Sequence, residues 1–339
     1  MLSSLPSWTL AVITALIAAL LCAAILKCLL KSGLAWSLAT DIPNDRSLHT
    51  RPTPRVGGWG IVPVAALLIA WRAPALDAIA LWMLFLAAVS QIDDRRGLPA
   101  RVRFAAHLLA AAGVVVLYGG GLAWFWWPVV ILALAWLVNL YNFMDGADGL
   151  AGGMALFGFG AYAMAALAGP VSNLQLGVAS AAIAGAAAGF LLLNFYPATL
   201  FLGDAGSISL GFLAGAIGLW GWRDGVWPLW FPIFVFAPFE LDATVTLLRR
   251  LLRGERFWQA HREHYYQRMV RMGTGHARTA CNWYGVMLVG AVLAWCAIGW
   301  PIFWQWAVMV TWAGVLLACG VAVDRRWRRF LLQQSESTR

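Results

Sequence analysis

Charge is scarce in this chain. Only 12% of its 339 residues are charged, 62% are hydrophobic and the mean hydropathy is +0.74, whereas a soluble globular chain carries roughly 25% charge. That excludes a water-solvated enzyme and makes lipid the solvent. Cysteine is sparse too. Cys22, Cys28, Cys281, Cys296 and Cys319 sit in or beside apolar runs without CxxC spacing, which argues against a disulfide framework, an iron-sulfur cluster or a structural zinc site. Walker A, GxGxxG, GxSxG and HExxH patterns are all missing, so nucleotide hydrolysis, dinucleotide redox chemistry, serine hydrolysis and zincin chemistry have no motif support. No Lys or Arg precedes Leu10, and no small-residue cleavage pattern follows the first apolar run. That run therefore reads as a retained helix and not as a signal peptide.

What the chain has instead is a series of predominantly apolar segments, at 8–30, 57–71, 76–90, 104–120, 123–139, 151–168, 174–191, 206–221, 227–248, 281–299 and 302–322. Several fall short of the roughly 20 residues that cross a hydrocarbon core of about 30 Å, so their helices must borrow flanking turns. The expectation is an all-α polytopic membrane protein, a single domain over 1–339, with about eleven spans or, by a stricter count, ten. Many of the 21 tryptophans, such as Trp124, Trp126, Trp127, Trp220, Trp222 and Trp227, cluster near proposed span ends, where an amphipathic ring suits the headgroup layer.

With the N-terminus outside, loops 31–56, 91–103, 140–150, 192–205 and 249–280 and the basic tail 323–339 share one side. Counting Lys27 at the inner end of the first helix, that side holds 22 of the 24 Lys and Arg residues, leaving only Arg72 and Arg223 opposite. Such an excess marks the cytoplasmic face, with attraction to anionic membrane lipids as a by-product. No nucleic acid is implied, because the basic residues follow span ends and form no recognisable nucleic-acid module. The same side collects the chain's most informative polar clusters, so an active site at the cytoplasmic membrane boundary follows.

Asp93 and Asp94 crown the inner end of the run 81–92, just before Arg95 and Arg96. Adjacent carboxylates beside hydrocarbon need a cation or bound water. Magnesium with a substrate diphosphate is one solution, and a solvated pair bridged to Arg95, Arg96 or Arg101 is the other. Asn139, Asn142 and Asp145 are spaced by three along one helix face and lead into Gly146, Asp148 and Gly149. Their amides can read a donor-acceptor edge such as that of uracil, and the acids can bind ribose hydroxyls or orient a metal shell. The stretch from Asn194 to Ser207 brings Phe201 and Asp204 to a span entrance. Asp204 either joins Asp93 or Asp94 at magnesium or belongs to an ordinary turn, and Ser207 can cap the next helix, whose amide end favours phosphate.

His261 and His264 share a face if their loop is helical. With Arg262 and Arg268 beside them, phosphate binding outranks zinc, for which further ligands are missing; a solvated basic loop is the rival reading. His107 reads as a packed interhelical residue. In the segment 41–58, Arg46, His49 and Arg55 are candidates for phosphate or anionic lipid, or else part of an inner-leaflet linker.

In order along the chain, Arg51-Pro-Thr-Pro-Arg-Val-Gly-Gly58, Asp93-Asp94, Asn139 through Leu150, Asn194 through Gly211 and His261 through Met269 resemble the motifs of the polyprenyl-phosphate N-acetylhexosamine-1-phosphate transferase family (glycosyltransferase family 4). The resemblance implies a magnesium-dependent transfer in which a UDP-N-acetylsugar and undecaprenyl phosphate yield undecaprenyl-diphospho-N-acetylsugar and UMP at the bacterial inner membrane. It implies that Asp93, Asp94 and Asp204 form the catalytic, metal-holding acidic centre. Asn142, Asp145 and Asp148 would surround the nucleotide, with Asn194 and Phe201 near it, Phe201 in a place to stack on uracil. Asn139, His261, Arg262, His264 and Arg268 complete the expected substrate-binding set. The His261-Arg-Glu-His264-Tyr-Tyr-Gln-Arg268 form is closer to members that initiate O-antigen than to the histidine-rich loop of the peptidoglycan branch. Arg101 and Arg103 stand where many members carry Lys, a change of geometry at constant charge.

Two other classes stay open on sequence grounds: a secondary transporter of an anionic glycan or nucleotide-sugar, and a noncatalytic scaffold for glycan assembly. The donor sugar is open among GlcNAc, GalNAc, QuiNAc and FucNAc, which differ by one or two polar contacts. Monomer and homodimer are equally open.

Overall fold

The computed structural model describes residues 6–43, 48–255 and 261–337; Arg46 lies outside them. The described residues are overwhelmingly helical. In order the helices are α1 (Ser7–Lys31), α2 (Leu34–Leu38), α3 (Gly57–Arg72), α4 (Asp77–Arg96), α5 (Ala100–Tyr118), α6 (Trp127–Phe143), α7 (Leu150–Ala168), α8 (Leu174–Asn194), α9 (Asp204–Arg223), α10 (Trp230–Leu252), α11 (Tyr265–Met269), α12 (His276–Ala297) and α13 (Ile302–Ser337). Between α2 and α3 a two-residue strand β1 (Thr40–Asp41) pairs antiparallel with β2 (Thr53–Pro54), Thr40 opposite Pro54 and Asp41 opposite Thr53.

Each apolar segment becomes a helix, and among the described residues ten helices are long and apolar enough to cross a membrane. The remaining one, α3, has 16 residues and reaches only about 24 Å at 1.5 Å per residue. It is enclosed by α1, α4, α8 and α9, so protein takes the place of lipid along much of its length. The stricter count of ten therefore holds by length. Helix ends run past the apolar segments wherever nothing stops them. The segment expected at 76–90 continues through Asp93 and Asp94 to Arg96 and stops at Gly97, whose φ of +67° suits glycine.

Burial grades from a centre to a rim. In the membrane-crossing window of α9, 89% of residues are buried, against 17% for α13. Small residues set the closest approach, between α1 and α8. Gly185 and Gly189 on α8 face the backbone oxygens of Ala15 and Ala19, and a Cβ at either would fall inside van der Waals contact with them. In lipid, where helix association rests on packing, such a small-xxx-small pair lets two backbones touch.

This contact yields a stability test. Gly189→Leu is expected to cost about 1–3 kcal/mol or more by overpacking, whereas Gly160→Ala, which meets nothing within 4 Å, stays neutral. Thermal unfolding in detergent distinguishes them; equal midpoints would refute the α1–α8 contact.

Candidate active site

The site begins with a backbone splice. Phe201 N donates to Pro54 O at 2.8 Å, Gly57 N to Phe201 O at 2.8 Å and Gly58 N to Leu202 O at 2.9 Å. The loop before α9 therefore runs alongside the loop before α3. Gly203 has a φ of +73°, and a side chain there would press on the Arg55 carbonyl. The splice brings Arg55 onto the carboxylates at two helix ends. Its Nη2 lies 2.8 Å from Asp204 Oδ1, on the first residue of α9, and 3.2 Å from Asp94 Oδ1, at the end of α4. Desolvation works against the guanidinium charge, but Asp204, Asp94, Asp41 and Asp145 together outweigh it and raise the Arg55 pKa.

Beside this triad lies a cavity of about 250 Å³, lined by Arg55, Asn142, Asp145, Asp148, Asn194, Phe201 and Asp204 together with Asp41, His49 and His276. It thus unites three of the motifs that are far apart in sequence. The residues differ in what they still offer. Asn194 is spoken for: its Oδ1 accepts from Gly149 N at 2.9 Å and its Nδ2 donates to Leu200 O at 3.0 Å. Asp148 is likewise anchored, its Oδ2 accepting from Ala198 N at 3.1 Å and its Oδ1 standing 3.4 Å from His276 Nδ1. Asn142 Oδ1 accepts from Ser207 Oγ at 2.6 Å, which leaves its NH2 for a ligand. Phe201 meets His49 edge-on, with ring centroids 4.8 Å apart.

Of the expected acids and amides, Asp93 and Asn139 face elsewhere. Asp93 turns away from Asp94: its Oδ1 accepts from Leu98 N at 2.6 Å and its Oδ2 pairs with Arg103 at 3.0 Å. Arg103 and Arg55, and not Arg95, Arg96 or Arg101, are the partners of the aspartate pair. Asn139 faces α5, with its Nδ2 3.3 Å from His107 Nδ1 and donating to Ala135 O at 2.7 Å. The helix carrying Asn139 and Asn142 ends at Phe143, so Asp145 departs from their shared face.

The family described as Glycosyl transferase family 4 matches residues 76–221. The chain is 30% identical over 307 residues to the decaprenyl-phosphate N-acetylglucosaminephosphotransferase of Mycobacterium tuberculosis (strain ATCC 25618 / H37Rv), covering 75% of each protein. It is 28% identical over 282 residues to a Bacillus subtilis (strain 168) protein named "Probable undecaprenyl-phosphate N-acetylglucosaminyl 1-phosphate transferase", covering 77% of this chain and 76% of that one. A phospho-N-acetylmuramoyl-pentapeptide-transferase of Halalkalibacterium halodurans is 32% identical over 171 residues, about half of each chain. The chain belongs to the polyprenyl-phosphate N-acetylhexosamine-1-phosphate transferase family.

In this transferase the His261 to Arg268 segment is a buckle outside the cavity lining. It is not a helix as far as His264, which caps α11. His264 is 2% exposed and sits 3.3 Å from Asp242 of α10, whose carboxylate also accepts from Tyr265 N and Tyr266 N. Arg268 pairs with Asp324 of α13 at 2.7 Å. Burial, aided by His264 and Arg250, pushes His261 down to about 4, so it is neutral at pH 7. Tyr266 Oη donates to Phe143 O at 3.0 Å, and through it the buckle supports the start of the Asp145 loop. Sequence reasoning missed His276, which ties the Asp148 loop to Leu48 O and stacks on Tyr196 at 5.8 Å. Its signal was faint: a histidine after a glycine at an inner span end.

Among the described residues no group of three or more His, Cys, Asp or Glu is gathered closely enough to hold a metal alone. Magnesium needs no such cage, since it binds through one or two carboxylates plus substrate phosphates and retained waters. Asp94 and Asp204, converging on one guanidinium, fit that shared kind of site, and Asp145 lies within the field of Asp204 and Arg55. Desolvation, reinforced by Asp204 and Asp41 and opposed by Arg55, raises Asp145 well above the ordinary carboxylate range.

Asp145 therefore costs stability when no ligand is bound. A carboxyl raised on folding stabilises the fold below its unfolded pKa of about 3.9 and loses that contribution as pH rises through the higher folded value. Asp145→Asn is expected to melt higher than wild type by an amount on the order of 1 kcal/mol near pH 8, with the gap closing in acid. Melting curves across pH check this; a variant less stable at every pH contradicts it.

Proposed function

We propose that this transferase moves an N-acetylsugar-1-phosphate from a UDP-N-acetylsugar to undecaprenyl phosphate, releasing UMP, as the initiating step of O-antigen or a related surface glycan. The observation that carries the reading is the single cavity in which Asp145, Asp204, Asn142 and Phe201 meet beside the Arg55-bridged Asp94. Names of the relatives agree, pairing a polyprenyl phosphate with N-acetylglucosaminyl phosphate transfer. We assign the site to the cytoplasmic face of a bacterial inner membrane on the basis of the Lys and Arg asymmetry.

In this reading Phe201 supplies a face for uracil, the free amide of Asn142 a donor, and Asn194 and Asp148 hold the loops that shape the nucleotide subsite. Mg2+, when bound by Asp94 and Asp204, would polarise the diphosphate and offset the charge of the leaving phosphate. Asp93 acts one step removed, fixing the end of α4 through Leu98 and Arg103. His261, Arg262, His264 and Arg268 keep the substrate side ordered through the buckle. A phosphate oxygen of the acceptor forms the new bond to the sugar-linked phosphorus, and the bond to the UMP oxygen breaks with its electron pair leaving on UMP. An ionised acceptor needs little general-base help. An apolar groove of about 830 Å³ runs along α6 from Val129 to Leu140 and is walled by α9 and α10, a fitting berth for an isoprenoid chain.

The test is UMP release in proteoliposomes containing undecaprenyl phosphate, across the four candidate donors and a range of magnesium. Wild type is expected to release UMP only with magnesium and acceptor, and Asp204→Asn to lose about 100-fold or more, as removal of a principal electrostatic group does. Counterflow of the donor without UMP would favour transport and refute the reading.

A further inference from the structure

Two carboxylates aimed at one point need a cation, and here the cation is a side chain. One nitrogen of Arg55 ties the end of α4 to the start of α9, at 3.2 Å from Asp94 and 2.8 Å from Asp204. Its backbone is pinned, with Arg55 N donating to Ala39 O at 3.0 Å and the chain bridged to Phe201. Its side chain, by contrast, is 28% exposed toward the cavity it lines. A fixed anchor and a long, partly solvated arm allow the guanidinium to change partners without moving the fold. Its two sets of partners are chemically alike. A divalent ion seeks the same carboxylate oxygens, and a guanidinium fork suits phosphate oxygens as well as carboxylates.

We propose that Arg55 is a resident counter-cation that competes with the divalent ion for Asp94 and Asp204 and turns to the diphosphate of the donor when nucleotide and ion bind together. The proposal rests on the reading of the cavity as a diphosphate site. With no donor present, Arg55 already offsets one of the pair's two negative charges and holds an oxygen of each carboxylate, so a free divalent ion must displace it to bind. With a donor present, Arg55 exchanges carboxylate oxygens for phosphate oxygens, so the carboxylates keep a cation in the divalent ion and the diphosphate gains one in the guanidinium. Metal binding thus becomes conditional on nucleotide, although no bond in Arg55 is made or broken.

The experiment uses the whole chain in detergent and Mn2+ as the probe, with free ion read by electron paramagnetic resonance, with and without UDP. Wild type is expected to bind Mn2+ weakly alone and more tightly with UDP. Arg55→Met is expected to bind Mn2+ alone about tenfold more tightly, a modest gain because the pair is partly screened by solvent, and to show less tightening with UDP. Arg55→Lys is expected to fall between them, because an ammonium meets the two carboxylates less well than a planar fork; it retains a charge and so reports the effect even if Arg55→Met fails to fold. Adding Asp204→Asn to Arg55→Met should remove the gain. If the Arg55 variants bind Mn2+ alone no better than wild type while UDP still tightens wild-type binding, the proposal falls and the transferase reading stands. If neither wild type nor variants bind Mn2+ with or without UDP, both fall.

Discussion

Carboxylates crowded where helices end at the edge of an apolar bundle must be neutralised, and the arrangement of this site follows from that constraint. Asp94 comes from the last turn of α4, Asp145 from the loop after α6, Asp204 from the start of α9 and Arg55 from the loop before α3. Burial makes each unpaired charge costly, so the loops can close on one another only because the guanidinium lies among the acids. The same constraint explains why Asp93 is not in the cluster. One more carboxylate would raise the repulsion further, and instead Asp93 is satisfied by Arg103 and the Leu98 amide.

Rigid packing lets a small number of polar contacts hold this geometry. The buried helix α9 carries Asp204 on its first residue and is walled by α3, α4 and α6. Those neighbours carry the other participants at their ends: Arg55 just ahead of α3, Asp94 on the last turn of α4, Asn142 on the last turn of α6. Side chains of Asn194 and Asp148 then fasten loop to loop, and Tyr284 Oη donates to Gly149 O at 2.6 Å to secure the same turn from α12. The buckle does a similar task from the far side, with Asp242 as the common acceptor for His264 and two backbone amides. Its Arg268 is matched by Glu263 and Asp324.

Much of the bundle was legible because hydropathy alone marks where helices cross lipid, and the eleven apolar segments all became helices. Their ends were less legible, since a helix continues past the apolar run until a residue such as Gly97 stops it. For the site, clustering of Asp, Asn and Gly identified most of the cavity wall. Pairings across the chain were not readable. Nothing local to Arg55 shows that its partners lie 39 and 149 residues away. Nothing local to Asn139 shows that it turns to His107 while Asn142, one turn on, turns to Ser207. The spacing of His261 and His264 suggested a shared helical face, but the helix begins only after His264, because that residue serves as its cap.

The central claim is that the cavity passes a sugar phosphate to a lipid phosphate. The most direct measurement follows the phosphorus atoms: a UDP-N-acetylsugar labelled at the sugar-linked phosphorus is incubated with purified protein and undecaprenyl phosphate in nanodiscs. The account predicts that the label moves to the lipid fraction in step with release of unlabelled UMP, and only with magnesium. Label recovered as free sugar phosphate, or left on the nucleotide while the donor is consumed, would contradict it.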